Sequence, residues 1–343
     1  MELFESQKQL DEGNRKMTRR VFVGVIVGGV AAVIGKRFYD DLDKPPSGIK
    51  TDFISRIGEF YTIYFNEYPT NLTTDGWSMR FAGPEGKSFS LDYNALKALP
   101  NKLIYKTFEC IENGVGENII NNAEWRVTPL QPLLDRILPA EFSSLNVIFR
   151  AYDGYYTGLP IADVYTEESY LAYEMNGQPL PLQHGRPARV LLPGKYGYKQ
   201  PKWLKEIEIT AGPLVGYWES KGWAVSGEVK PMSRIDTAGY DPKPAGDTPG
   251  DALITGIAYG GRFAVAKVEV SLDNGSSWQP AEVTSPTGPN HWSLWKYVWP
   301  NAPRGKHKIL VRMTDANGKL QPEARKGYYP AGSSGWHRVV VKL

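Results

Sequence analysis

Cys110 is the only cysteine in the chain, and its side chain has the widest choice of chemistry. One thiol closes no intrachain disulfide, so the paired cysteines common in domains that fold in oxidising compartments are missing. Residue type alone favours a small buried hydrophobe, because free cysteine is among the most buried side chains. As a thiolate it would instead be a soft donor for a transition metal. The flanking sequence bears on the choice. KLIYKTFEC reads as a strand ending at the thiol, and IENGVGENIINNAEW after it holds two glycines and four asparagines. The thiol therefore belongs where a strand gives way to a loop, and functional groups concentrate on loops. No C-x-x-C-H motif and no second cysteine are present, which excludes a covalent c-type haem or an iron–sulfur cluster within these residues.

The elements that must position this group fall into two patterns. From about residue 51 to 214 short strand-like and helical runs are mixed, an α+β pattern. DYNALKAL from Asp92 to Leu99 opens on a capping residue and has helical apolar spacing, and PLQPLLDRIL from Pro129 to Leu138 suits a second helix. After Pro213 the pattern is all β. Val268, Val270 and Leu272 alternate before the hairpin signal Asp273–Gly275, and WSLWKYVW spans Trp292 to Trp299. Ile309, Val311 and Met313 alternate next, then Val339, Val341 and Leu343. Such strands with Asn-Gly punctuation predict an immunoglobulin-like sandwich over residues 215–343. The tryptophans of this region are read as core.

Ahead of these regions, residues 21–35 (VFVGVIVGGVAAVIG) form an apolar run between Arg19, Arg20 and Lys36, Arg37. The run is shorter than the roughly 20 residues of a membrane-spanning helix and suits the apolar part of a signal sequence. TRRVFVG resembles a twin-arginine export signal, a route for folded proteins. Residues 1–50 are thus expected to be a signal or membrane anchor plus a charged, proline-containing linker. Extracytoplasmic placement follows, at the periplasm or the outer face of the cytoplasmic membrane. With 40 Lys and Arg against 37 Asp and Glu in 343 residues, the charge gives no reason to expect nucleic acid.

From about residue 55 to its last residue the chain resembles the sulfite oxidase family of molybdopterin enzymes. FECIENGVGENIINNAEW is similar to the family's strand-end cysteine and Asn-rich loop. LAYEMNGQPLPLQHGRPARVLLPGKYGYKQPKWLKEIEI, residues 171–209, carries L-A-Y-E-M-N-G, H-G-x-P-x-R, P-G-x-x-G and K-W-L in family order. DGYYTGLPI lies just upstream, where the family places an active-site tyrosine. GWAVSGEV, ITGIAYGG and SGWHRVVV look like its dimerisation domain. The resemblance implies one molybdenum–molybdopterin per chain with Cys110 as metal ligand. His184, Arg189 and Lys202 match the residues that hold the pterin phosphate, which needs cations or N–H groups in fixed geometry. Lys199 stands where relatives often carry arginine. Gly185, Gly194 and Gly197 would let backbone approach the cofactor. Tyr155, with Tyr156 beside it, matches the tyrosine that could donate or relay a proton. Tyr61, Tyr64 and Asn66 fall in the stretch of pterin-edge residues. A homodimer and a separate electron carrier, a cytochrome or quinone system, are also implied.

The resemblance breaks at the substrate. Sulfite oxidases have arginines just after the cysteine, whereas Ile111, Glu112, Asn113, Gly114 and Val115 stand here, and a carboxylate repels a dianion. Ile63 falls where another substrate arginine is usual, and a tryptophan-bearing insertion is missing. Arg126 beside Trp125 reads as a surface charge. Two outcomes are therefore open. The chain is an oxidoreductase transferring oxygen to or from a small substrate, by sulfite-like oxidation or S- or N-oxide reduction, or it is an anchored binding or assembly protein that keeps the fold without catalysis.

Overall fold

A computed structural model describes residues 45–243 and 249–343. The apolar run at 21–35, its arginine pair and most of the linker lie outside these residues. Among the described residues no helix is long and apolar enough to cross a membrane.

Strands dominate, and the helices are short: Tyr93–Ala98, Gln131–Leu134 and Ile161–Val164. The balance is thus more β than the α+β expectation. The first predicted helix forms where its cap requires, with Asp92 Oδ1 accepting the Ala95 N–H at 2.8 Å. The second shrinks to one turn and loose turns after it. Pro129 belongs to the preceding strand, Ile120–Pro129, so the helix starts only at Gln131 and ends at Leu134.

The N-terminal part contains two five-stranded sheets. One runs Ser88–Asp92, Ser78–Ala82, Leu204–Thr210, Asn146–Ala151, Tyr156–Pro160, and only the pairing of Ser78–Ala82 with Leu204–Thr210 is parallel. The other runs Lys102–Glu109, Ile120–Pro129, Tyr170–Met175, Gln178–Pro179, and Arg189–Leu191 also pairs with Tyr170–Met175. Phe60, Phe108, Trp125, Tyr170 and Leu191 form an apolar cluster on this second sheet, with Tyr61 and Ile104 against it. Lys102–Glu109 is an edge strand. Its free side is covered by a later segment: Thr107 donates to the Asn290 carbonyl at 2.9 Å, and the Trp292 N–H donates to Thr107 Oγ1 at 2.8 Å.

The C-terminal part is two four-stranded sheets. Met232–Tyr240, Gly250–Tyr259, Ser293–Ala302 and Glu282–Val283 make one; Gln279–Pro280, Val265–Ser271, Lys306–Asp315 and His337–Lys342 make the other. Their inner faces share one core. Ile235, Ile254 and Trp295 come from the first sheet, and Val268, Val270, Ile309, Val311, Met313, Val339 and Val341 from the second. The alternation of the sequence supplies that core, since every second side chain of a strand points to the same face.

Candidate functional site

Cys110 stands one residue past the end of Lys102–Glu109 and is half-buried. Its N–H donates to the Ile119 carbonyl at 3.0 Å and its own carbonyl accepts the Asn113 N–H at 2.9 Å, so the strand turns at the thiol. Asn113 fixes the turn from inside. Its buried amide donates to Glu109 Oε1 at 2.9 Å and accepts the Ile119 N–H at 2.9 Å. Burial pushes the Cys110 thiol up, and Glu112, Glu109 and Glu117 push it further. A thiol in such company ionises only if a strong cation binds it.

The loop after the thiol is held from the C-terminal sheets. Arg234 reaches it with Nη1, which donates to the Glu117 carbonyl at 2.8 Å and to Asn118 Oδ1 at 2.9 Å. The same guanidinium pairs with buried Asp236. Arg325 donates to the Val115 carbonyl at 3.2 Å, and the Ser333 hydroxyl to the Asn113 carbonyl. None of these braces is visible in the sequence around Cys110.

His184, Arg189 and Lys202 converge. His184 ends a 3-10 turn, Leu182–His184, and Gly185 follows at φ 116°. A Cβ at Gly185 would lie 3.1 Å from the Cβ atoms of both Arg189 and Lys202, so glycine permits the turn that packs these three side chains together. Arg189 is buried between aromatic rings, its guanidinium carbon 4.0 Å from the Phe108 ring centroid and 5.4 Å from that of Trp125. It donates to the His184 carbonyl at 3.1 Å and the Gln200 carbonyl at 3.2 Å. Its Nε has no partner among the described residues, nor has Arg186 Nε. Lys202 donates to the Gln183 carbonyl at 3.0 Å and leans on Trp203 and Tyr64.

These groups pay electrostatically for their crowding. Burial, then Arg189, brings Lys202 to about 7, with Asp153 opposing. Burial brings Arg189 to about 10, and burial with Arg189 brings His184 to about 4. No carboxylate is hydrogen-bonded to His184, Arg189 or Lys202 among the described residues. A buried guanidinium with an unspent N–H, packed beside the Lys202 amine, calls for an anion, and a phosphate monoester supplies both the charge and the acceptors.

Tyr61 joins the thiol to this cradle. Its phenol is raised by burial first, then by Cys110, while Arg189 lowers it. A Cβ at Gly197 would meet its hydroxyl at 2.8 Å. Tyr61 therefore lies within electrostatic reach of both groups, and Tyr64 packs at a tilt against Tyr68 beside Lys202.

Other expected site residues are placed differently. Lys199 is buried, but its ammonium is spent on Glu219, on the Gly158 carbonyl at 2.9 Å and on Thr157 Oγ1 at 3.2 Å. It takes no part in the cradle. Gly194 faces Arg262, whose backbone N an added Cβ would meet at 3.0 Å, so its freedom serves packing. Asn66 is exposed. Tyr155 is buried and donates to the Tyr198 carbonyl at 2.7 Å, whereas Tyr156 is half-buried at the start of its strand. Tyr198 packs on the cluster of Ile111, Tyr196 and Trp223, which links Tyr155 to the residue following the thiol. Arg126 pairs with Glu174 at 2.6 Å on the surface, as a solvent-facing arginine should.

A groove of about 480 Å³ elsewhere is lined by Arg80, Arg150, Glu206 and Glu208. Its charges answer one another, Arg80 to Glu206 at 2.7 Å and Arg150 to Glu208 at 3.0 Å. It lacks the unspent donors of the cradle.

Comparisons with known proteins identify the family. A model of the oxidoreductase molybdopterin binding domain matches residues 66–218, and one of the Mo-co oxidoreductase dimerisation domain matches residues 242–343. Mitochondrial sulfite oxidase of Macaca fascicularis is 29% identical over 87% of this chain and 63% of its own length. Sulfite oxidase of Arabidopsis thaliana is 24% identical over 88% of this chain and 91% of its own. The sulfane dehydrogenase SoxCD from Paracoccus pantotrophus superposes with a TM-score of 0.74, covering 96% of this chain and 94% of that one at 19% identity, a likeness of fold. The chain spans 63% of the length of the first of these relatives.

Proposed function

Since the chain belongs to the sulfite oxidase family of molybdopterin oxidoreductases, with molybdenum–molybdopterin as its cofactor, we propose that it catalyses oxygen-atom transfer on a small substrate. The observation that carries this reading is the convergence of His184, Arg189 and Lys202 around Gly185, with Arg189 Nε buried and without a partner among the described residues, over Phe108 of the strand that leads to the thiol. In this reading Cys110 binds the metal, the cradle takes the phosphate, and Tyr61 and Tyr64 border the pterin. The bound cofactor supplies two-electron redox chemistry. The thiol, which the protein alone keeps protonated, would ionise on binding the metal, and the protein's part is to aim the thiol, hold the ring system and exclude water. Tyr155 keeps its proton, which burial holds on the phenol, and its hydroxyl, now donating a hydrogen bond to the Tyr198 carbonyl, could donate one to a bound substrate instead.

The substrate side favours a neutral molecule. Glu112 follows Cys110 closely and the adjoining residues include no arginine, so a sulfite-like dianion would lack its usual partners. Reduction of an S- or N-oxide suits this setting better than oxidation of a dianion. Residues 51–214 form the cofactor domain and 215–343 an immunoglobulin-like sandwich through which two copies pair. Electrons pass to or from a separate carrier. Residues 21–35 direct export and anchor the chain outside the cytoplasm.

Metal and pterin analysis of protein matured with ample molybdate tests the reading. About one of each per chain is expected, and their absence would favour a binding or assembly role. Cys110→Ser should keep fold and pterin but lose turnover with both sulfite and neutral oxides. Unchanged turnover would remove Cys110 from the site.

A further inference from the structure

Lys106 is 2% exposed, and its ammonium has no hydrogen-bond partner among the described residues. A buried charge without partners is among the costliest features a fold can carry. Its neighbours explain neither its presence nor its position. Glu168 is the carboxylate that influences it, yet Glu168 Oε1 accepts from Asn290 at 3.0 Å and Oε2 faces Arg262 at 3.8 Å. No ion pair joins Glu168 to Lys106.

What Lys106 does share is the cradle's aromatic floor. It lies two residues before Phe108 on the edge strand, so both side chains emerge on one face, the face carrying Ile104 and the Phe60–Trp125 cluster. The Lys106 ammonium is 5.8 Å from the Phe108 ring centroid, and the Arg189 guanidinium lies 4.0 Å from the same centroid. Arg189 Nε is likewise without a partner. Two unspent cationic donors thus lean on one ring, at the strand that ends in Cys110.

We propose that Lys106 is a further cationic contact for the anionic, phosphate-bearing end of the cofactor, acting beside Arg189. This rests on the cofactor reading above and adds a residue to it. An anion next to Arg189 would offset the repulsion between the two cations and give each an acceptor. Without one, burial lowers Lys106 to about 7, and the amine is only partly protonated at neutral pH. The lysine is then held ready for its ligand at a cost to the empty protein.

The test is uptake of pterin, not turnover. Apo wild type, Lys106→Met and Lys106→Arg would be loaded with purified molybdopterin and passed over a desalting column. Retained pterin is read by fluorescence after oxidation, and apo and loaded proteins are melted in parallel. Lys106→Met should melt at or above wild type when empty, since an unpaired buried charge is gone. Its affinity for molybdopterin should fall about 10- to 100-fold, the worth of one charge-assisted hydrogen bond, and Lys106→Arg should recover most of it. Wild-type retention by Lys106→Met overturns the proposal and leaves the cofactor reading standing. No retention by wild type overturns both. If Lys106→Met does not fold, Lys106→Gln, which keeps a polar head without the charge, is read in the same way.

Discussion

Replacing Arg234 by methionine tests whether the C-terminal sheets hold the thiol-bearing loop in place. Arg234 and Asp236 are each 1% exposed. The arginine also donates to the Glu117 carbonyl, Asn118 and the Thr51 hydroxyl, while Asp236 keeps only the Thr51 hydroxyl, at 2.6 Å, as a further side-chain donor. Removing one partner of a buried ion pair costs about 3–5 kcal/mol, because the other charge stays buried and alone. Urea unfolding of the apo protein should show a loss of that size, free of any contribution from bound cofactor. Arg234→Met/Asp236→Leu removes both charges and should recover most of it. A second readout follows from the loop: Cys110, slow to react where burial raises its thiol, should be alkylated faster in Arg234→Met. A loss under about 1 kcal/mol, a double variant no more stable than the single, or unchanged alkylation would refute the bracing argument.

Two further outcomes are expected. Gly185→Ala, at φ 116° and against Lys202 and Arg189, should lower apo stability by about 1–3 kcal/mol and reduce pterin retention, measured by calorimetry and fluorescence. In the apo protein His184 and His337 are lowered to about 4 and about 3, in each case by burial first. Both are neutral in the folded and unfolded chain above the ordinary histidine range. As pH falls below about 6.5 the unfolded chain takes up protons first, and stability is lost progressively toward pH 4. Melting temperatures between pH 7.5 and 4.5 should decline, and His184→Gln should flatten the decline; an unaltered slope would remove His184 from this account.

What the sequence disclosed was local. The strand that ends at Cys110, the capped helix after Asp92 and the alternating core residues from Val268 to Val341 each depend on near neighbours, and each formed as expected. His184, Arg189 and Lys202 were singled out only through the family resemblance, and the structure brings them together around Gly185. Distant pairings were not legible. Nothing near Lys199 announces that Glu219 takes its charge, and nothing near Cys110 names Arg234 or Ser333. Lys106 is an intermediate case. Alternation in IYKTFE places it on the face of Ile104 and Phe108, a lysine among apolar neighbours, which signals burial without saying what the charge is for.

The bracing of the Cys110 loop also orders the assembly of the molecule in time. Its bonds come from Arg234, Arg325 and Ser333, which lie 117, 210 and 220 positions from their acceptors. A nascent chain that has made Arg234 but not yet Arg325 and Ser333 still lacks two of these braces. The turn gains its last brace only once the segment carrying Ser333 has been made and folded, so a ligand that needs the finished turn would enter after that point.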